Sequence, residues 1–470
     1  MFDTRQLVYR TLTRLGPKYL PFADVATEDA PLSRLLRLSL FQVTVGMALV
    51  LLVGTLNRVM IVELSVPATL VGVMIALPVL FAPFRALVGF RSDTYRSALG
   101  WRRVPFIWKG TMLQFGGFAI MPFALLVLSG FGESTRWPEW IGQAGAALAF
   151  LLVGAGVHMV QTVGLALATD LVPEEEQPKV VGLMYVMLLV GMIGSAVVFG
   201  WLLEPYTPGR LIQVIQGAAV ITVLLNGLAL WKQEARDRVR AAAMERAPKA
   251  EFATHWRELL RATHALRLMI VVGLGTFGFG MADVVLEPYG GQVLAMTVAQ
   301  TTKLTAVFAF GGLVGFALAS RVLGRGGDPL RLAVQGAAVG APAFGAIMFA
   351  ALADSPAIFA LGVLVAGFGA GLFGHGTLTA TMRTAPREQI GLALGAWGAV
   401  QATAAGAGVA LGGILRDVVA GIPAAMELGA AAPYLPIFAL EIVFLLFALI
   451  AAHPLIRAAT RRGGAAIYVR

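Results

Sequence analysis

Residues 268–294 read Leu268-Met-Ile-Val-Val-Gly-Leu-Gly-Thr-Phe-Gly-Phe-Gly-Met-Ala-Asp283-Val-Val-Leu-Glu287-Pro-Tyr289-Gly-Gly-Gln-Val-Leu294. The apolar run to Leu286 is long enough to cross about 30 Å of hydrocarbon as a helix. Asp283 lies one turn before Glu287, so the spacing projects both acids from one face. Carboxylates at the end of a membrane-length helix are costly to keep, which makes them candidates for a working site. Pro288-Tyr289-Gly290-Gly291 is expected to end that helix and let the backbone bend closely.

The same pattern recurs along the chain. Hydrophobic residues make up 58% and charged residues 13% of 470, and mean hydropathy is +0.79. That composition excludes an ordinary soluble domain. Apolar runs predict twelve spans, near residues 39–62, 67–88, 104–129, 141–168, 180–203, 211–231, 267–288, 301–322, 332–352, 357–381, 390–415 and 434–453. The expected fold class is therefore an all-α polytopic membrane protein.

Most of the 36 Lys and Arg fall in the N-terminal arm, in alternate loops and in the C-terminal tail. Arg136, Arg210, Lys303 and Arg416, with Arg58 near the end of the first span, are the exceptions. The positive-inside bias places both termini in the cytoplasm. It also accounts for most of the net charge of +10, so nucleic acid is not an expected partner. Arg10, Arg14 and Lys18 at four-residue spacing fit a short interfacial helix on anionic lipid, or a partly ordered basic arm. With no cysteine, disulfide and thiolate chemistry are excluded.

The chain divides into an arm (1–37), a six-helix half (38–231), a polar loop (232–266), a second half (267–453) and a tail (454–470). The halves echo each other. Ala168-Thr169, Pro173, Gln177 and Gly182 follow span four, and Ala380-Thr381, Pro386, Gln389 and Gly391 follow span ten. Two parallel six-helix halves describe the major facilitator architecture. The loop after span two carries Gly89, Asp93, Arg96, Arg102 and Arg103. It resembles the facilitator loop motif that clamps helix ends, and the same charges also fit a plain positive-inside loop.

Few polar groups fall inside the spans. Span four has His158 and Gln161 on one face. Span ten has His375, preceded at four-residue steps by Gly371 and Gly367. Span eleven has Trp397 and Gln401, and span twelve has Glu441. Glycines at that spacing fit close helix packing, and the imidazoles fit hydrogen bonds to neighbouring helices. They also fit a flat macrocycle, with a glycine-lined wall and an imidazole, His158 or His375, as axial donor to its magnesium. No separate metal site is expected. A second group, Asn57, Arg58, Glu63, Asp283, Glu287 and Tyr289, is expected as a polar cluster at the outer ends of spans one and seven, with Arg58 and Glu287 as the leading ion pair. It fits an assembly site or a structural seal. Walker loops, dinucleotide glycine fingerprints, zinc-protease motifs and nucleophile triads are absent from the sequence, so catalysis is not expected.

At Thr55-Leu-Asn-Arg-Val-Met-Ile-Val-Glu-Leu64, Gly100-Trp-Arg-Arg-Val-Pro-Phe-Ile-Trp108 and Asp283-Val-Val-Leu-Glu-Pro-Tyr-Gly-Gly-Gln-Val-Leu294 the chain resembles the PucC/LhaA family, the bacteriochlorophyll-delivery branch of the major facilitator superfamily. The resemblance runs from about Leu36 to Leu455. It implies a protein of the intracytoplasmic photosynthetic membrane of purple bacteria that assists light-harvesting complex assembly. Implied with it are bacteriochlorophyll as cofactor, with carotenoid or lipid as further candidates, and antenna α and β polypeptides as partners. The reaction centre, pigment-synthesis enzymes and membrane lipid are further candidate partners. Two other readings stay open: a proton-coupled small-solute secondary transporter using Asp283 or Glu441, and a scaffold that contacts antenna helices without binding pigment.

Overall fold

A computed structural model describes residues 31–78, 101–130, 132–173, 176–234, 264–384 and 390–461, together with Arg85, Val88, Arg91, Ser92 and Tyr95. Among the described residues, eleven helices are long and apolar enough to cross a membrane. They are α1 (Leu32–Glu63), α3 (Val104–Ser129), α4 (Glu139–Asp170), α5 (Lys179–Leu202), α6 (Pro208–Leu230), α7 (Ala265–Gln292), α8 (Val298–Gly324), α9 (Pro329–Leu352), α10 (Pro356–Thr384), α11 (Gly395–Ala420) and α12 (Leu435–Arg457). The second expected span begins as α2 (Ala68–Ala76). Most of its remainder, the basic arm and most of the polar loop lie outside the described residues.

Several helices outrun the apolar cores that predicted them, because helical backbone continues into the polar interface where water satisfies its ends. Their starts are set locally. Proline stands in the first turn of α3, α6 and α9, where its missing N–H costs nothing. Thr297 and Gln300 form a reciprocal capping box at α8. The Asp328 side chain accepts from Leu330 N at 2.8 Å to start α9.

The packing repeats when six is added to each helix number. The α3–α4 pair matches α9–α10, α3–α6 matches α9–α12, and α1–α5 matches α7–α11. Glycines set the closest of these crossings. A methyl on Gly46 would sit 2.6 Å from the Leu188 carbonyl oxygen of α5, and one on Gly408 would sit 3.0 Å from the Phe277 carbonyl oxygen of α7. Between the halves, α5 packs on α8 and α2 on α11, again a pair exchanged by the same operation. This is the arrangement of two parallel repeats. Large apolar side chains such as Phe123, Trp201, Leu224, Leu352 and Ile450 remain exposed, as a surface meeting lipid requires.

Helix α7 departs from expectation. The Pro288-Tyr289-Gly290-Gly291 segment does not end it; Leu286–Gln292 is itself helical. The interruption comes earlier, at Met281–Val284, which tightens to a 3₁₀ turn, followed by Val285 at φ −115° and ψ −20°. Proline is accommodated in the first turn of the new helix, where no intrahelical donor is lost. Helix α1 is distorted opposite this break, widening to i→i+5 bonding over Val50–Leu56 and Val59–Glu63.

Candidate functional site

The break in α7 frees backbone carbonyls inside the bundle, and α1 satisfies them. Asn57, fully buried, donates from Nδ2 to the Asp283 and Val284 carbonyl oxygens at 3.0 Å each. Irregular backbone at membrane depth persists only with such partners. Nearby, the Thr55 and Thr302 hydroxyls lie 3.2 Å apart across the halves. Arg58 donates to the Met296 carbonyl at 3.2 Å and pairs with Glu63.

The expected Arg58–Glu287 pair is therefore corrected. Glu287 instead accepts from the Thr305 hydroxyl of α8, and its carboxyl group rests against Gly54 of α1, where a methyl would collide with it. Only 4% exposed, Glu287 keeps its second oxygen Oε2 without a partner among the described residues. Tyr289 also leaves the expected cluster. Its hydroxyl donates to the Ile347 carbonyl at 3.0 Å, and its ring packs with Phe359, Tyr434 and Phe438, inside the second half.

Asp283 and Glu287 do share one space. They line a cavity of about 160 Å³ between the halves, with Leu49, Val53 and Gly54 of α1, Met192 of α5, and Leu304, Thr305 and Phe308 of α8. The lining is apolar except for the two acids and one hydroxyl. Glu441, fully buried on α12, stands behind the break within electrostatic reach of Asp283. Among the described residues no group of three metal-ligating side chains forms.

The opposite end of the bundle holds the loop motif. Gly89, Asp93 and Arg96 lie outside the described residues. Arg102 and Arg103 both reach Asp170 at the end of α4, at 2.6 and 3.1 Å. Arg103 also donates to Ser92 at 2.7 Å. The Glu234 carboxylate accepts from the backbone N–H groups of Arg102, Arg103 and Val104 at 2.8–3.0 Å. An anion there meets the positive end of α3. These residues tie α3 and α4 to the chain beyond α6.

The six residues expected to hold a cofactor divide. Gly371 is pressed against α8, where a methyl would strike the Gly312 carbonyl, and Gly367 is pressed likewise against Phe308. The glycine wall is filled by backbone, so the expectation that it faces a macrocycle is corrected in favour of helix packing. The His375 ring lies edge-on to Phe316 with centroids 3.9 Å apart, and its Nδ1 is 3.4 Å from the Ser320 hydroxyl. Trp397 donates to Thr377 Oγ1 at 3.3 Å, and Gln401, one turn on, is half-buried. On α4, Gln161 accepts from Arg85 Nη2 at 3.1 Å. His158 keeps a buried Nδ1 without a partner among the described residues, so of the two histidines it fits an axial donor better.

Two residues absent from the sequence reading organise this region. Arg85, in the second expected span, donates to Thr162 Oγ1 at 2.9 Å as well as to Gln161. Tyr185 of α5 stacks on Phe316 and stands edge-on to Trp397. It bridges the halves and links Trp397 to the Phe316–His375 pair. A lone cation within an apolar run was the available signal for Arg85; nothing in the sequence singled out Tyr185.

The family model described as PUCC protein matches residues 55–460. Protein PucC of Cereibacter sphaeroides is 63% identical over 95% of this chain and 97% of its own length. Protein PucC of Rhodobacter capsulatus is 63% identical over 98% and 99%. The bacteriochlorophyll synthase 44.5 kDa chain of Rhodobacter capsulatus is 30% identical over 82% and 87%. Among solved structures, the nucleoside transporter NupG superposes with a TM-score of 0.65 at 14% identity, covering 90% of this chain and 98% of that one. The xylose transporter XylE from E. coli gives 0.63 at 14%, covering 88% and 95%. The fold is that of the major facilitator transporters, and by sequence the chain belongs to the PUCC protein family.

Proposed function

We propose that this protein is a non-enzymatic assembly factor of the photosynthetic membrane in purple bacteria. In this reading it binds or delivers bacteriochlorophyll to nascent antenna α and β polypeptides and chaperones ring assembly. The observation that carries it is identity of 63% with two PucC proteins over nearly their whole length. The Nδ1 of His158, without a partner among the described residues, supports a pigment contact, since an imidazole nitrogen would be able to hold the pigment's magnesium. Bacteriochlorophyll would supply its own light absorption; the chain would supply the donor, the aromatic surroundings and the release path. The test is purification from a pigment-making host in gentle detergent, followed by an absorption spectrum. Co-eluting pigment that falls in His158→Ala and persists in His375→Ala is the expected result. A colourless preparation free of antenna subunits would overturn the reading.

A second reading has its own observation. The cavity lined by Asp283 and Glu287 suits a proton-coupled transporter, because acids held between two facilitator halves can gain and lose protons as access alternates. Proton uptake by proteoliposomes that depends on an added solute, and that is lost in Glu287→Gln, would favour it. Proteoliposomes that move no protons under any solute gradient tried would count against it.

A further inference from the structure

We propose that Arg85 anchors an anion site between the two halves, built for a carboxylate carried on an apolar body. The first observation is the company Arg85 keeps. Among the described residues its guanidinium donates to neutral oxygens, Gln161 Oε1 and Thr162 Oγ1. No carboxylate stands within ion-pair distance of it among the described residues. By contrast, Arg58 is matched by Glu63, Arg103 by Asp170 and Arg416 by Asp417. An arginine stays charged whatever its surroundings, and an unpaired charge inside a membrane protein marks a functional site by default.

The second observation is what surrounds it. His158 and Tyr185 lie within electrostatic reach of the guanidinium, and neither carries negative charge at neutral pH. Tyr185 stacks on Phe316 with centroids 6.5 Å apart and meets Trp397 edge-on at 6.3 Å. Arg85, His158, Gln161 and Tyr185 are each partly exposed. Tyr185, through its contacts with Phe316 and Trp397, places this group at the side of the first half that meets the second. A guanidinium fork matches a carboxylate through two parallel hydrogen bonds, and aromatic walls suit an apolar body.

This assignment concerns the charge of the ligand and is independent of magnesium ligation by His158. Two sources share the chemistry: a fatty acid from the membrane and a macrocycle bearing a carboxylate side chain. The test uses the full chain, immobilised in nonionic detergent, with protoporphyrin and its dimethyl ester as matched charged and neutral probes. Wild-type protein is expected to retain the acid about tenfold more tightly than the ester, in keeping with a charge-assisted bidentate contact. Arg85→Gln should erase that ratio, and Arg85→Lys should keep part of it. Oleate, but not methyl oleate, should displace the acid if the membrane is the source; failure of both to compete assigns the site to macrocycles. Equal retention of acid and ester by wild type overturns the proposal, and needs no variant to fold. A preference that survives in Arg85→Gln overturns Arg85 as its anchor. A pigment-free preparation in the spectral test above would leave the acid-to-ester ratio intact, so the two readings fail separately.

Discussion

The two halves meet in two contrasting ways. At the Glu63 end the joint is made of directional bonds: Asn57 to the carbonyls of the α7 break, Arg58 to Met296, and Thr69 N to the Asp417 carboxylate at 2.6 Å. Near Arg85 the halves touch through rings, with Tyr185 against Phe316 and Trp397. Hydrogen bonds to backbone fix one register and are lost by a small slide. Ring contacts keep most of their energy over a range of offsets. The Glu63 end is thus built as a fastener, whereas the Arg85 region is joined by ring packing.

The sharpest way to break this contrast is Asn57→Leu. It preserves bulk but leaves two buried carbonyls without their donor, at a cost of about 2–4 kcal/mol. Thermal unfolding in detergent should show a large drop in midpoint, whereas Tyr185→Leu should change it far less. Equal effects of the two variants would dissolve the distinction. The next effect in size belongs to packing within one half. Gly371→Ala forces a methyl into the Gly312 carbonyl and should cost roughly 1–3 kcal/mol by overpacking. It should leave pigment content per folded molecule unchanged, because the glycine faces α8 and not a ligand. Loss of pigment without loss of stability would reinstate the glycine wall as a binding face.

How much of this was readable beforehand depends on which force decides each feature. Hydropathy alone locates the eleven described spans, because crossing hydrocarbon requires a run of apolar residues whatever their neighbours. Asn57, Asp283 and Glu287 were legible as costly groups, and the structure does gather them around the α7 break and its cavity. Their partners were not legible. The Arg58–Glu63 pair arises because α1 is widened at this point: with i→i+5 bonding, a residue five positions on returns to the same face. A 3.6-residue period places it elsewhere, so regular helical spacing does not indicate this pair. The break at 281–285 carries no proline; Pro288 lies after it and misdirects the eye. Gly367 and Gly371 fit two readings by spacing, and only the position of α8 separates them.

At the Arg103 end, the carboxylate of Glu234 offers an intermediate test. It collects three N–H groups at the start of α3, so Glu234→Ala should cost about 1 kcal/mol, the usual worth of an N-terminal cap. The loss should be smaller in Glu234→Gln, which keeps an acceptor but gives up the charge that complements the helix dipole. Identical stability for all three proteins would reduce this end to a loop that happens to be basic.

The smallest effect is expected where the fastener reaches the surface. Lys303 of α8 and Glu204, just beyond α5, lie 3.2 Å apart across the halves, with side chains 45% and 65% exposed. Distance alone would rank the contact beside that of Asn57, but water and salt screen an exposed pair and the long side chains lose rotamer freedom in making it. Lys303→Ala should therefore shift stability by no more than about 0.5 kcal/mol. Even that shift should vanish in high salt, whereas the penalty of Asn57→Leu, which is not Coulombic, should persist. A salt-insensitive loss of 2 kcal/mol or more in Lys303→Ala would mean that the halves are held by surface charge, and that burial at the α7 break is not what closes the Glu63 end.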